Sequence, residues 1–305
     1  MTRNVRFVLA LGAAAATVLS GFACSENKIP ASSSGGPPEA DGAVVEEEDS
    51  GLVVDPDGAV VAKVDSAKPS KVKITVEQID VGTELREYAL AVPKTYDAAR
   101  KYPLIIALHG DGQNGPGVAT FLDFQAVNGD DAIVAYPTGA EDLTTPYDQN
   151  PDQLLVEATI NSVKGKLSID DTKVWGFGYS KGGFMANEIA CRKPGIFKAM
   201  AVHASGAPEE PRVNGYPDCP GVVGLPVLAT EGDRDTGIGG DYAAKYWAFV
   251  NGCGTTRGNP TADGCYTQNG CPAGKPVIYC LAANVSHYPI WGQATAVSWT
   301  WFKTL

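Results

Sequence analysis

Between residues 71 and 92 polar and apolar side chains alternate. Lys71-Val72-Lys73-Ile74-Thr75-Val76 leads to a turn at Gly82-Thr83, and Glu84-Leu85-Arg86-Glu87-Tyr88-Ala89-Leu90-Ala91-Val92 alternates again. Period two is the mark of a strand with one face buried, so the stretch predicts an antiparallel hairpin ending at Pro93. The texture then changes. Pro103-Leu104-Ile105-Ile106-Ala107-Leu108 and Ala132-Ile133-Val134-Ala135-Tyr136 are unbroken apolar runs, closed by His109-Gly110 and by Pro137. Such runs belong to strands buried on both faces, hence to a parallel sheet covered by helices. Further strand candidates are Lys173–Phe177, Ala199–His203, Pro226–Thr230 and Val277–Leu281, and helical stretches fall near 116–126, 152–166, 182–192, 240–251 and 292–303. Strands alternating with helices predict an α/β fold with right-handed crossovers, without internal repeats.

The first 70 residues do not share this texture. Arg3 and Arg6 precede an uncharged run from Phe7 to Leu19 and then Ser20-Gly21-Phe22-Ala23-Cys24. A basic start, a short apolar run and small residues before a cut predict a secretory signal peptide over 1–23. The run is too short for a spanning helix, which needs about 20 apolar residues. Cys24 resembles the acylated first cysteine of bacterial lipoproteins, although Gly21 stands where such leaders usually carry Leu. The other reading is an ordinary cut that leaves Cys24 as an unmodified thiol. Residues 24–70 read as a disordered linker, with Ser32-Ser33-Ser34-Gly35-Gly36-Pro37-Pro38 and the acidic run from Glu46 to Asp49. Few large apolar side chains occur there, so no core offsets the ordering entropy.

Composition sharpens this division. The chain has 305 residues, 44% of them hydrophobic, enough for a sizeable core over 71–305. Its formal net charge of -11 argues against nucleic acid or an anionic membrane surface as partner. The segment 25–70 holds ten acidic against three basic side chains, so much of the acidity belongs to the tether. Three histidines in the whole chain make a histidine-rich metal site an unpromising reading.

The chemistry centres on Gly178-Tyr179-Ser180-Lys181-Gly182, a G-x-S-x-G pattern. Alone the pattern is weak. Here a buried strand precedes it and the helical Phe184-Met185-Ala186-Asn187-Glu188-Ile189-Ala190 follows, which is the strand–turn–helix setting of a nucleophile elbow. Ser180 would occupy a strained turn, and side chains at Gly178 and Gly182 would collide there. The Lys181 N–H, at the helix start, would point toward a developing oxyanion. A serine nucleophile needs a base, and the base a carboxylate to orient it, in chain order serine, acid, histidine on this kind of scaffold. His287, between the last strand and the last helix, is the candidate base. His203 reads as a packed or hydrogen-bonded histidine, and His109 as a structural part of the oxyanion loop. In His109-Gly110-Asp111-Gly112 the glycines permit close backbone approach, and the Asp111 N–H is the second candidate donor. For the acid, spacing leaves Asp233, Asp235 and Asp241 in competition, with a preference for the first two.

Taken together, Lys101-Tyr102-Pro103-Leu104 through His109-Gly110, Gly178 to Gly183, Glu231-Gly232-Asp233-Arg234-Asp235 and Ser286-His287-Tyr288-Pro289 resemble the extracellular polyhydroxybutyrate-depolymerase-like esterases. These are grouped with feruloyl and acetyl-xylan esterases in carbohydrate esterase family one. The resemblance covers residues 71–305. It implies the α/β-hydrolase fold: a mostly parallel central sheet flanked by helices, an N-terminal antiparallel hairpin, and a disulfide-tied loop before the catalytic histidine. The family usually has His-Gly, two further residues and the catalytic Asp. Glu231 stands here in place of that His, and Asp235 falls on the acid. The departures Asp111 and Lys181 put charges at the rim of the site.

With Cys24 set aside, Cys191, Cys219, Cys253, Cys265, Cys271 and Cys280 form an even set in an exported chain, with fifteen connectivities. Similar pairs in related esterases favour Cys191–Cys219, Cys253–Cys280 at the base of a long loop, and Cys265–Cys271 inside it. The reaction implied is ester hydrolysis by Ser180, His287 and Asp235 without metal or cofactor, by an exported monomer. Substrates implied are feruloyl or acetyl esters of plant polysaccharide, or hydroxyalkanoate oligomers. Tyr179, Tyr288 and Trp291 either face an aromatic acyl group or sugar ring, or pack the fold. The rival classes are a serine peptidase and a non-catalytic binding lipoprotein on a hydrolase scaffold.

Overall fold

The computed structural model describes residues 72–140, 150–209, 212–213, 215–235, 239–287 and 291–305, with two short strands at 52–54 and 60–62. Those two, β1 (Leu52–Val54) and β2 (Val60–Ala62), pair antiparallel. They lie inside the stretch expected to be linker. The valines Val53, Val54, Val60 and Val61 have strand propensity, which accounts for this local pairing. The predicted leader and Cys24 lie outside the described residues.

The domain then runs β3 (Val72–Val81), β4 (Glu84–Pro93), β5 (Tyr102–Leu108), α1 (Gly115–Phe121), α2 (Phe124–Asn128), β6 (Ile133–Pro137), α3 (Pro151–Lys166), β7 (Ile169–Tyr179), α4 (Lys181–Arg192), β8 (Ala199–His203), β9 (Arg212–Val213), β10 (Tyr216–Pro217), β11 (Val227–Gly232), α5 (Gly240–Asn251), β12 (Cys265–Thr267), β13 (Val277–Ala282) and α6 (Trp291–Phe302). Nine strands form one sheet in the order β12-β13-β11-β8-β7-β5-β6-β4-β3. From β13 to β6 all neighbours are parallel, and the hairpin β3–β4 and the short β12 add antiparallel edges.

Both faces of the parallel strands are dry. Along β5, Leu104, Ile106 and Leu108 pack with Val156, Ile160 and Val163 of α3, Met185 and Ile189 of α4, and Trp247 of α5. The alternate residues Ile105 and Ala107 belong to the opposite layer, with Val118, Phe124, Trp175, Phe177, Trp299 and Phe302. Trp175 and Phe302 stack with ring centroids 4.7 Å apart, which fixes α6 to the sheet. Each fully buried side chain of this size contributes about 1.5–3 kcal/mol, so the unbroken apolar runs stabilise both layers at once.

The single helix expected near 116–126 is two. Asn114 caps α1 by accepting the Gly117 N–H at 2.8 Å, and Asp123 breaks the path with φ 38 before α2 begins. Apolar spacing carries across the break, because Val118, Leu122 and Phe124 are all buried.

Candidate active site

Strand β7 ends at Tyr179, and Ser180 occupies the turn into α4 with φ 52 and ψ −125. A non-glycine residue there is strained, by about 1–3 kcal/mol, and persists only because its surroundings enforce it. The Ser180 N–H donates to the His203 carbonyl at 2.9 Å, and its own carbonyl accepts from Gly183 and Phe184. The flanking glycines have no room for a side chain. A Cβ at Gly178 would lie 2.2 Å from the Gly182 carbonyl oxygen, and one at Gly182 2.3 Å from that of Leu108.

The structure brings Ser180, His287 and Asp235 together. Ser180 Oγ is 2.8 Å from His287 Nε2, and Asp235 Oδ2 is 2.7 Å from His287 Nδ1. A carboxylate only accepts, so Nδ1 carries the proton and Nε2 is left to receive that of the serine. The Asp235 side chain is buried, and that of His287 is a quarter exposed. The loops carrying acid and base are laced together. Asp233 Oδ1 accepts the Val285 N–H at 3.2 Å, the Arg234 N–H donates to the Val285 carbonyl at 3.0 Å, and the Arg234 guanidinium donates to Asn284 Oδ1. Asp233 and Arg234 thus tie the histidine loop down together. Asp241 lies on α5 in ion pairs with Lys245 and Arg257, which hold its carboxyl below the usual range against the opposing effect of burial.

Glu231 accepts the Gly240 N–H at 2.8 Å and the Tyr279 hydroxyl proton. It therefore holds the start of α5, and burial together with Glu231 raises the Tyr279 pKa. His109 is buried directly after β5. Its Nε2 accepts the Gly139 N–H at 3.0 Å, so its Nδ1 proton faces the Gly110 carbonyl at 2.9 Å. The Gln113 side chain accepts the Gly110 N–H at 3.0 Å, a latch the sequence reading missed; a polar residue three places after the glycine was its signal. Lys181 and Asp111 approach each other through their side chains, Nζ to Oδ1, at 3.3 Å. His203 is fully buried, its Nε2 is 2.7 Å from Ser298 Oγ, and burial pushes its imidazole down to about 3.

Of the two readings of Tyr179 the structure favours packing over substrate contact: it is buried, its hydroxyl donates to the His287 carbonyl, and its ring centroid lies 5.2 Å from that of His287. Tyr288 lies outside the described residues, and Trp291 opens α6. The cysteine pairs near the histidine are Cys253–Cys271 and Cys265–Cys280, not Cys253–Cys280 and Cys265–Cys271. The long loop doubles back as β12, which sets Cys265 opposite Cys280 on β13. Cys253, just past α5, meets the returning strand, where Gly254 bonds to Asn269. Cys191 is joined to Cys219.

A largely parallel sheet flanked by helices, with a strained serine between strand and helix and a histidine–carboxylate pair on loops after later strands, defines the α/β-hydrolase fold. No family model matches the chain. A probable feruloyl esterase C from Aspergillus terreus is 30% identical over 129 residues, 40% of this chain and 47% of that protein. The match thus spans about half the length of such curated relatives. Among solved structures, an acetyl xylan esterase from Aspergillus awamori superposes with a TM-score of 0.59 at 19% identity, covering 76% of this chain and 100% of that one. A ferulic acid esterase from Anaeromyces mucronatus, solved with ferulic acid, gives 0.51 at 13% identity over 79% and 92%. The chain is similar to feruloyl esterases in sequence and shares the fold of these esterases.

Proposed function

We propose that the protein is an exported serine carboxylic-ester hydrolase working through an acyl-enzyme. One observation carries the reading: the continuous line from Ser180 Oγ through His287 to Asp235, at 2.8 and 2.7 Å. Ser180 Oγ attacks the ester carbonyl carbon while His287 Nε2 takes its proton. The tetrahedral oxyanion accepts hydrogen bonds from the Lys181 and Asp111 backbone N–H groups. Its collapse breaks the C–O bond to the alcohol, which leaves with the proton from His287. Water then attacks the acyl-Ser180 with His287 again as base, and the acid departs. Asp235 holds the imidazole in the required tautomer throughout.

The named relatives favour feruloyl or acetyl esters of plant polysaccharide over hydroxyalkanoate oligomers. Three disulfides suit an oxidising compartment, in keeping with export of residues 24–305 after removal of a leader, with Cys24 as a lipid anchor. Hydrolysis of 4-nitrophenyl acetate by the wild type and its loss in Ser180→Ala test the reaction; equal, negligible rates in both overturn it. Methyl ferulate, acetylated xylan and hydroxybutyrate oligomers, compared by kcat/KM, then assign the substrate.

A further inference from the structure

Gly110 lies against the nucleophile: a Cβ placed on it would sit 3.5 Å from that of Ser180. Its backbone is held on both sides. The Gly110 carbonyl faces His109 Nδ1 at 2.9 Å and accepts the Gln113 N–H at 3.3 Å. The Gly110 N–H donates to Gln113 Oε1 at 3.0 Å. A peptide group is planar and trans, so its N–H points opposite to its carbonyl. Pinning the Gly110 carbonyl therefore sets the direction of the Asp111 N–H. Without those bonds the plane is free to turn, because glycine stands on each side of Asp111.

His109 serves this purpose only as one tautomer, with the proton on Nδ1. That tautomer is set by the bond at the other nitrogen, where Nε2 accepts the Gly139 N–H at 3.0 Å. The neighbours of Gly139 are anchored in turn. The Arg86 guanidinium on β4 donates to the Thr138 carbonyl at 3.1 Å and to Asp152 Oδ1 at 2.6 Å. Asp152, buried in the first turn of α3, accepts the Ala140 N–H on the same oxygen at 2.7 Å. A buried ion pair thus presents the Gly139 N–H to the imidazole.

We propose that His109 and Gln113 are positioning residues of the oxyanion hole. Together they fix the plane of the Gly110–Asp111 peptide and aim the Asp111 N–H at the reacting carbonyl oxygen. The proposal rests on the ester-hydrolase reading, with Asp111 as the second donor. Each side chain acts through the Gly110 backbone, not on substrate. A donor aimed in advance costs no reorganisation when charge develops.

The test separates the two nitrogens of His109. An asparagine amide nitrogen falls close to Nδ1 and can still donate to Gly110. A glutamine side chain reaches the Nε2 position and can still accept from Gly139, but the Gly110 carbonyl loses its donor. Loss of an oxyanion donor outright costs about 10²–10³ in kcat, so loosening one should cost about tenfold. With 4-nitrophenyl acetate, His109→Gln should lower kcat and kcat/KM alike by about tenfold, and His109→Asn should restore most of that loss. The thermal midpoint should run the other way, lower in His109→Asn, which leaves the Gly139 N–H without its acceptor. Phenylboronic acid, which forms a tetrahedral adduct on an active serine, should inhibit His109→Gln about tenfold more weakly than the wild type. Gln113→Met, similar in size but without the acceptor, should also lower kcat about tenfold, and it decides the matter if the His109 variants do not fold. Negligible hydrolysis by the wild type overturns the esterase reading and this proposal with it. Where the wild type is active and Ser180→Ala is not, equal losses in His109→Asn and His109→Gln, an effect on KM alone, or an unchanged kcat in Gln113→Met overturns the proposal by itself.

Discussion

Lys181 Nζ lies 3.3 Å from Asp111 Oδ1, across 70 residues of chain. These are the residues whose backbone N–H groups are the proposed oxyanion donors. Lys181 is held by the start of α4, whereas Asp111 sits in a turn beside Gly112, at φ 69. The ion pair is a cross-link between the rigid half of that hole and its glycine-bounded half.

Exposed ion pairs contribute about 0.2–1 kcal/mol, so the expected effect on catalysis is small and specific. Lys181→Met and Asp111→Asn should each lower kcat by up to about fivefold with KM nearly unchanged. The exchanged pair Lys181→Asp with Asp111→Lys should recover most of the loss. Raising salt should slow the wild type and leave the single variants flat. Steady-state kinetics at two ionic strengths decides this, and a KM effect without a kcat effect would show that the charges act on substrate binding.

Glycine at the elbow is a steric demand. Gly182→Ala places a Cβ 2.3 Å from the Leu108 carbonyl oxygen, and backbone on both sides cannot yield cheaply. A loss of about 3 kcal/mol or more is expected in urea unfolding, at the upper end of overpacking effects. Gly165→Ala, with nothing near its Cβ on a helix, should stabilise by about 0.5–1 kcal/mol. Similar unfolding curves for the two variants would contradict the clash.

Much of this elbow is legible in the sequence because sterics act locally. Ser180 must turn sharply, so Gly178 and Gly182 reveal it. The parallel strands are legible because burial on both faces leaves unbroken apolar runs. What the sequence hides is pairing at a distance. Nothing local says that residues after Asn251 return as β12, and so the two cysteine pairs were exchanged. Nor does apolar spacing register the break at Asp123, since Phe124 is buried on either path. The burial of Tyr179 follows from its inward place on β7, hidden by its position next to a nucleophile.

His203 makes stability fall in acid. Its folded-state pKa, pushed down by burial to about 3, lies below the unfolded value near 6.5. The unfolded chain therefore binds a proton that the folded chain refuses. This contribution is fully present above about pH 6.5 and is lost as pH falls from there toward 3, with a slope of up to about 1.4 kcal/mol per pH unit. Urea unfolding between pH 4 and 7 should show that slope, and His203→Gln should reduce it by about one proton. An imidazole resonance of His203 that titrates above pH 5 would contradict the assignment.

Three aspartates competed for the acid, and geometry separates them by what each holds. Asp235 contacts His287 Nδ1 at 2.7 Å, Asp233 accepts the Val285 N–H, and Asp241 pairs with Lys245 and Arg257 on α5. Replacing the orienting carboxylate of a triad by an amide lowers kcat by about 10⁴-fold in a serine protease, because the histidine then adopts the wrong tautomer. Asp235→Asn should therefore cost three to four orders of magnitude in kcat at unchanged fold. Asp233→Asn keeps an oxygen able to accept the Val285 N–H, so its loss should stay within about tenfold, through loosening of the histidine loop. Asp241→Asn removes a partner from two cations outside the triad and should leave kcat within about twofold. Turnover of 4-nitrophenyl acetate by the three variants ranks them, and a deeper loss in Asp233→Asn than in Asp235→Asn would move the acid to the other carboxylate.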